Sequence, residues 1–231
     1  MRRLEIIRVQ GDKAEVSEDR ITEEISLRLL AEHRRIAELM CSPGDLEDLI
    51  RGFFFTNGFI SRADQIHRIV VNRATGSAFI ELAPEVDAGG FRLSGVVGSA
   101  CGSALPVEEA GDPGEEEETP ASGVPPAPGR DGHSPPGRVR VASGHITALM
   151  EEFRSRSELH RQTGGVHAAA LADREGLLVF REDIGRHNAV DKVIGAYLLQ
   201  GDTFVNKLLL SSGRLSSEIL HKAAACSVPI L

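Results

Sequence analysis

FREDIGRHNAVDKVIG, Phe180 to Gly195, joins a β-like run to a helix-like apolar pattern. The turn between them holds Arg181, Glu182, Asp183, Arg186 and His187 around Gly185. Asn188 suits an N-cap, and Val190, Val193, Ile194 and Tyr197 then follow at helical spacing. A helix start leaves unpaired N–H groups and a positive dipole end, so this turn can hold an anion. The plain alternative is a charged surface turn with a well-capped helix.

HITALMEEFRSRSELHRQTGG (145–165) predicts one amphipathic helix stopped by Gly-Gly. HAAALAD (167–173) and GLLVFRED (176–183) predict strands turning at Arg174-Glu175-Gly176. KLLLSSG (207–213) predicts a strand, SSEILHKAAAC (216–226) a helix, and VPIL (228–231) the start of a further strand. Strands alternating with helices argue for an α/β sheet with ligands at the carboxyl ends of its strands. REDIGRH and SSGRLSS both fall at strand-to-helix junctions. At the second, Ser211, Ser212, Gly213 and Arg214 form another phosphate cradle. A cap by Ser216 or Ser217 explains serines there but does not require Arg214. Gly164, Gly165 and His167 precede a strand; the glycines allow close approach of a ligand, or simply a C-cap and turn. Asp191 suits the first turn of its helix in any case, and Lys192 can be a solvated surface residue.

In the first half, residues 21–40 could be strands or helix. In SPGDLEDLIRGFFFTNGFI (42–60), Ser42 or Asp45 can cap a helix with Leu46, Leu49, Ile50 and Phe53 on one face, ended by Asn57-Gly58. HRIVVNRATGSAFIELAP (67–84) predicts a hairpin around Thr75-Gly76, and FRLSGVV (91–97) a short strand leading into GSACGSALP.

Between the halves, residues 106–137 hold eight of the eleven prolines and carry eight acids against one base, Arg130. That composition predicts a flexible linker between residues 1–105 and 138–231. It also accounts for seven of the eight net negative charges, so no broad nucleic-acid surface is indicated. No run reaches the roughly 18 apolar residues of a membrane helix, and the N-terminus becomes charged too soon for a signal peptide. Cys41, Cys101 and Cys226 make no disulfide framework. The expectation is a cytoplasmic protein.

SPGDLEDLIRGFFFTNGFI, SACGS, TGGVHAAAL, FREDIGRHNAVDKVIG, LLLSSGRLSSEILHKA and VPIL, in this order, resemble the FdhD/NarQ family. The resemblance implies an accessory sulfurtransferase needed for formate dehydrogenase activity. Such a protein accepts sulfur from a cysteine desulfurase as a persulfide and passes it to a molybdenum bis(molybdopterin guanine dinucleotide) cofactor. It further implies a smaller α+β N-terminal part, a cytidine-deaminase-like α/β domain over 138–231, and a homodimer. The family loop usually reads C-G-x-C-G; here Cys101 is kept and position 104 is alanine. Relatives also run on past VPIL through a further helix and strand, so this chain is expected to be incomplete at its C-terminus.

On that resemblance Cys101, among small residues, is the sulfur-carrying thiolate. Cys41 and Cys226 fall off the motifs and read as structural. Arg181, Arg186 and His187 are phosphate ligands, and Glu182 and Asp183 bind guanine or ribose donors or orient the arginines. Gly185, Asn188, Ser212, Gly213, Arg214, Gly165 and His167 complete the expected cofactor pocket. No zinc site is expected, because the deaminases' H-x-E and P-C-x-x-C do not occur. Two other functions compete: a non-catalytic cofactor chaperone, prompted by Ala104, and a protein-interaction remnant.

Overall fold

The structure, a computed structural model, describes residues 1–87, 96–97, 104–105, 139–201 and 203–231. β1 (Arg2–Gln10) and β2 (Lys13–Ile21) pair as an antiparallel ribbon. Residues 21–40 resolve as strand: β3 (Ile25–Ala31) and β4 (Arg34–Cys41) form a hairpin. Leu27, Leu29 and Ala31 alternate into the core along β3, which is the period-two signature of a half-buried strand.

α1 (Leu46–Thr56) follows, with the predicted Leu46, Leu49, Ile50 and Phe53 all buried and Asn57 as its C-cap. Neither Ser42 nor Asp45 caps it by side chain; Asp45 takes the N-cap place in a left-handed conformation, φ 50°. β5 (Ile66–Asn72) and β6 (Ser77–Leu82) are the predicted hairpin around Thr75-Gly76. β7 (Val96–Val97) and β8 (Ala104–Leu105) complete a six-stranded sheet in the order β5-β6-β3-β4-β7-β8. Cys101 and residues 106–137 lie outside the described residues.

The expected single helix over 145–163 is two: α2 (Ser143–Arg156) and α3 (Glu158–Thr163), with the break at Ser157. The carboxylate of Glu182 accepts the N–H groups of Leu159 and His160, both at 2.9 Å, and so caps the second piece. Gly164, at φ +64°, closes α3 as anticipated. β9 (His167–Ala172), β10 (Leu177–Asp183) and β11 (Leu208–Ser211) form a second sheet in the order β10-β9-β11. Both outer strands are antiparallel to β9, so they run in the same direction as each other. α4 (Arg186–Leu198) follows β10, α5 (Ser217–Ala225) follows β11, and Ile230 in VPIL bridges parallel to Leu208.

One apolar core runs through both halves of the chain. It joins Leu29 and Leu39 of the large sheet to Phe54 of α1, Val190 and Ile194 of α4, and Leu171 of β9. α1 and α4 touch backbone to backbone. A methyl group on Gly52 would lie 1.8 Å from the Asp191 carbonyl oxygen, and one on Gly195 would lie 1.9 Å from that of Asp48. On the other face of the small sheet, Leu149 and Phe153 of α2 pack on Ala168, Ala170 and Leu208. Among the described residues no helix is long and apolar enough to cross a membrane.

Candidate functional site: two strand ends and a pair of histidines

Because β10 and β11 flank β9, their carboxyl ends and the start of β9 meet at one end of the small sheet. Asp183 pairs with His167, and Ser211 pairs with Ala169. Ser212 is clamped there: its N–H donates to the Ala168 carbonyl at 2.9 Å, while its hydroxyl accepts the Ala168 N–H at 2.9 Å. A methyl group on Gly213 would stand 2.8 Å from Cβ of Arg186. Only glycine lets the second junction close onto the first. Arg186, His187, His167, Ser212, Gly213 and Arg214 therefore form one cluster, although the two junctions lie far apart in sequence.

The cluster is electropositive, and both of its histidines register this. The partly buried His167 imidazole is held below its usual pKa by burial, then by the charges of Arg186, His160 and Arg214. His187 is 4 % exposed, and its pKa is pushed down to about 4 by burial first, then by Arg186, Lys222 and His167. A start-of-helix position opposes protonation too. The nearby Glu218 carboxylate pulls the other way, but enclosure and the cations of Arg186 and Lys222 outweigh it, so the ring is neutral at pH 7. Nε2 of His187 lies 2.8 Å from Oε2 of Glu218 and 3.2 Å from Oγ of Ser216. A carboxylate only accepts, so Nε2 carries the hydrogen and Nδ1 keeps its lone pair. Nδ1 is buried without a hydrogen-bond partner among the described residues. Glu218, read from sequence only as a favourable helix-start acid, thus fixes a tautomer 31 residues away, and no spacing signal reveals that. Ser216 caps α5 by accepting the Ile219 N–H, as expected.

Other expected pocket residues are bonded into the frame around the cluster. Arg181 turns to α1, donating from Nε and Nη2 to Asp48 Oδ2 at 3.0 and 2.8 Å. Glu182 is the α3 cap described above. Asp183 is fully buried, accepting the N–H of Ser42 at 3.0 Å, that of Gly185 at 2.8 Å and the Asn188 amide at 3.0 Å. Its fourth partner is the fully buried Lys192 ammonium at 2.7 Å, in place of the solvated lysine allowed from sequence. Gly185, not Asn188, is the N-cap residue of α4. Asn188 lies inside the first turn and donates to Asp183 and to the Met40 carbonyl, because Asp183 already receives the orphan N–H of Gly185. Asp191 ties three helices together through Thr56 and Lys222, each at 2.8 Å. Gly165 faces Thr22, with 3.5 Å to its hydroxyl from an added methyl group. A cleft of about 370 Å³ includes Arg181, Phe180, Ser42 and Asp45 in its lining, but not Arg186, His187 or Arg214.

Two expectations follow for this frame. Arg181→Met should lower stability by about 1 kcal/mol, as for a partly exposed ion pair, and leave anion binding at the cluster unchanged. Thermal unfolding and nucleotide titration of the same sample would check both. Cys41 is buried and its thiol is pushed up to about 12 by burial, then by Asp183 against the opposing charge of Lys192; Cys226 is 3 % exposed. Both should resist a thiol-alkylating reagent in native buffer and react in denaturant, which intact mass would read.

A family model described as the FdhD/NarQ family matches residues 22–231. The chain belongs to the FdhD/NarQ family. Over 223 residues this FdhD/NarQ chain is 34% identical to the sulfur carrier protein FdhD of Bacillus subtilis (strain 168), covering 96% of the chain and 79% of that protein. Over 228 residues it is 32% identical to the sulfur carrier protein FdhD of Halalkalibacterium halodurans, covering 98% and 79%. A solved structure from Desulfotalea psychrophila, described as a candidate formate dehydrogenase accessory protein, shares the fold at a TM-score of 0.70 and 23% identity. That similarity covers 99% of this chain and 80% of the other. The segments FREDIGRHNAVDKVIG and SSGRLSSE, both within the matched residues, are thus the two junctions of the cluster and the glutamate that orients its buried histidine.

Proposed function

We propose that this chain is a sulfur carrier. Cys101 takes sulfur from a cysteine desulfurase as a persulfide and delivers it to the molybdenum bis(molybdopterin guanine dinucleotide) cofactor, its substrate, for formate dehydrogenase. The observation that carries the proposal is the convergence of Arg186, Arg214 and His167 at one sheet end, closed by Gly213. Such a cluster suits the phosphates of a dinucleotide, since guanidinium forks match phosphate oxygens and the α4 dipole adds to them.

The loading step balances without a redox partner. The Cys101 thiolate attacks the terminal sulfur of the donor persulfide, the donor S–S bond breaks, and the donor cysteine leaves as thiolate. Unloading the sulfur as sulfide needs two electrons. In the usual family loop a second cysteine can provide them by closing a disulfide. With alanine at 104, an external thiol does so, attacking the Cys101 sulfur and leaving a mixed disulfide. β4 supports a link between donor and acceptor sides. Leu39 pairs with Val97 of the strand leading towards Cys101, and three residues on Ser42 is bonded to Asp183 and Ile184. As part of the same proposal, residues 138–231 form a cytidine-deaminase-like unit and the working form is a cytoplasmic homodimer.

Ala104 favours a second reading, a chaperone that binds the cofactor and transfers no sulfur. Calorimetric titration with guanosine diphosphate tests what both readings share. Arg214→Ala should weaken binding about ten- to a hundredfold, the worth of a charged hydrogen bond. Unchanged affinity removes the cluster from both. Sulfur transfer from labelled cysteine separates the two.

A further inference from the structure

We propose that His167 is the residue that carries a proton to the bound phosphate: neutral in the free protein, it becomes imidazolium as a phosphate dianion enters the cluster. This rests on the reading of the cluster as a phosphate site.

His167 opens β9 between the two strand ends, directly before the clamped Ala168–Ser212 pair. The charged and titratable groups acting on it come from every neighbouring element. They are His160 from α3, Arg186 and His187 from α4, Arg214 from the segment after β11, and Asp183 from β10. Asp183 is the one carboxylate in that set, and it is already held by Lys192 and three N–H donors. Asp183 offsets the arginines only in part, and burial adds to them, so the ring stays neutral without a ligand, which agrees with its lowered pKa. The arginines keep their charge at any working pH and cannot adjust. His187 has Nε2–H tied to Glu218 and its ring enclosed. His160 has Nδ1 against the Val166 carbonyl at 2.9 Å. His167, which opens β9 between the two strand ends, is the group placed to change state.

A dianion brings two negative charges into this field and cancels the opposition of the two arginines at the ring. The imidazole then takes one proton from solvent and donates a charge-assisted hydrogen bond to a phosphate oxygen. The ring's pKa is low in the free state and higher in the complex. Proton uptake therefore falls between those two values, and binding tightens as pH drops through the upper one. The consequence is selectivity for a phosphate dianion over the uncharged nucleoside, made by a residue that does not add a permanent third cation.

Calorimetry in buffers of different ionisation enthalpy counts the protons. Guanosine diphosphate should draw in up to about one proton per molecule across the neutral range. Inorganic pyrophosphate should do the same, and guanosine should draw in none. His167→Gln should lose the uptake and weaken both phosphates roughly tenfold. His167→Arg, with a fixed charge, should lose the uptake and keep affinity within roughly threefold. An NMR titration of the wild-type ring needs no variant: its midpoint should move up on saturation with either phosphate. Uptake unchanged in His167→Gln, or a midpoint unmoved by bound phosphate, overturns the proposal and leaves the phosphate site standing. Failure of the wild type to bind either phosphate overturns both.

Discussion

Lys192→Met should remove about 3–5 kcal/mol of stability, the usual result of breaking a buried ion pair by deleting one partner. For a chain of this size that corresponds to a melting point lower by roughly 6–20 °C. Asp183 and Lys192 are both fully buried, 2.7 Å apart. Without the ammonium, Asp183 must keep a charge in the core or take up a proton. The same carboxylate holds the N–H groups of Ser42 and Gly185 and the Asn188 amide, so the loop before α1 and the turn before α4 loosen together. Asp183→Asn combined with Lys192→Met should recover part of the loss, because the uncompensated charge is then gone. Urea unfolding checks the set. A single-variant change under about 1 kcal/mol would show that the pair is not the internal tie we describe.

Gly195→Ala should be nearly as damaging, at about 3 kcal/mol. The added methyl group meets the Asp48 carbonyl oxygen at 1.9 Å and the Gly52 nitrogen at 2.6 Å, and both are backbone atoms that cannot rotate away. α1 and α4 must separate, and the core shared by the two halves opens with them. Gly52→Ala meets the same contact from the other side, so the double variant should lose less than the sum of the two. Gly144→Ala is the control: nothing lies within 4 Å of its added methyl group, and it sits in helix α2. There alanine should stabilise by up to about 1 kcal/mol. Thermal melts of the three single variants would show two falls and one small rise.

The junctions themselves were readable in the residues. The switch from β-rich runs to helical spacing at Asp183–Arg186 and Ser211–Ser217 is local, and local periodicity reports it faithfully. What each charged side chain does there was not readable, because that depends on partners distant in the chain. Arg181 pairs with Asp48, Asp183 with Ser42 and Lys192, and His187 with Glu218. Alternation along β10 decides the division: Arg181 and Asp183 meet partners from α1 and α4, whereas Glu182 caps α3. Asn188 misled because a good capping residue lost its place to a buried aspartate two residues before the cap. The α2–α3 break was hidden for the same reason, since its cap comes from a strand and not from its own sequence. Gly52 and Gly195 carried no signal either; a glycine inside a helical pattern reads as a weakness until the helix crossing it is seen.

The most direct measurement is sulfur loading of the full chain from labelled cysteine through a cysteine desulfurase, read as added sulfur mass under non-reducing conditions. The wild type should gain one persulfide sulfur, Cys101→Ser should gain none, and Cys41→Ser and Cys226→Ser should load as the wild type does. Equal loading of Cys101→Ser, or no loading of the wild type, would contradict the assignment of this chain as a sulfur carrier.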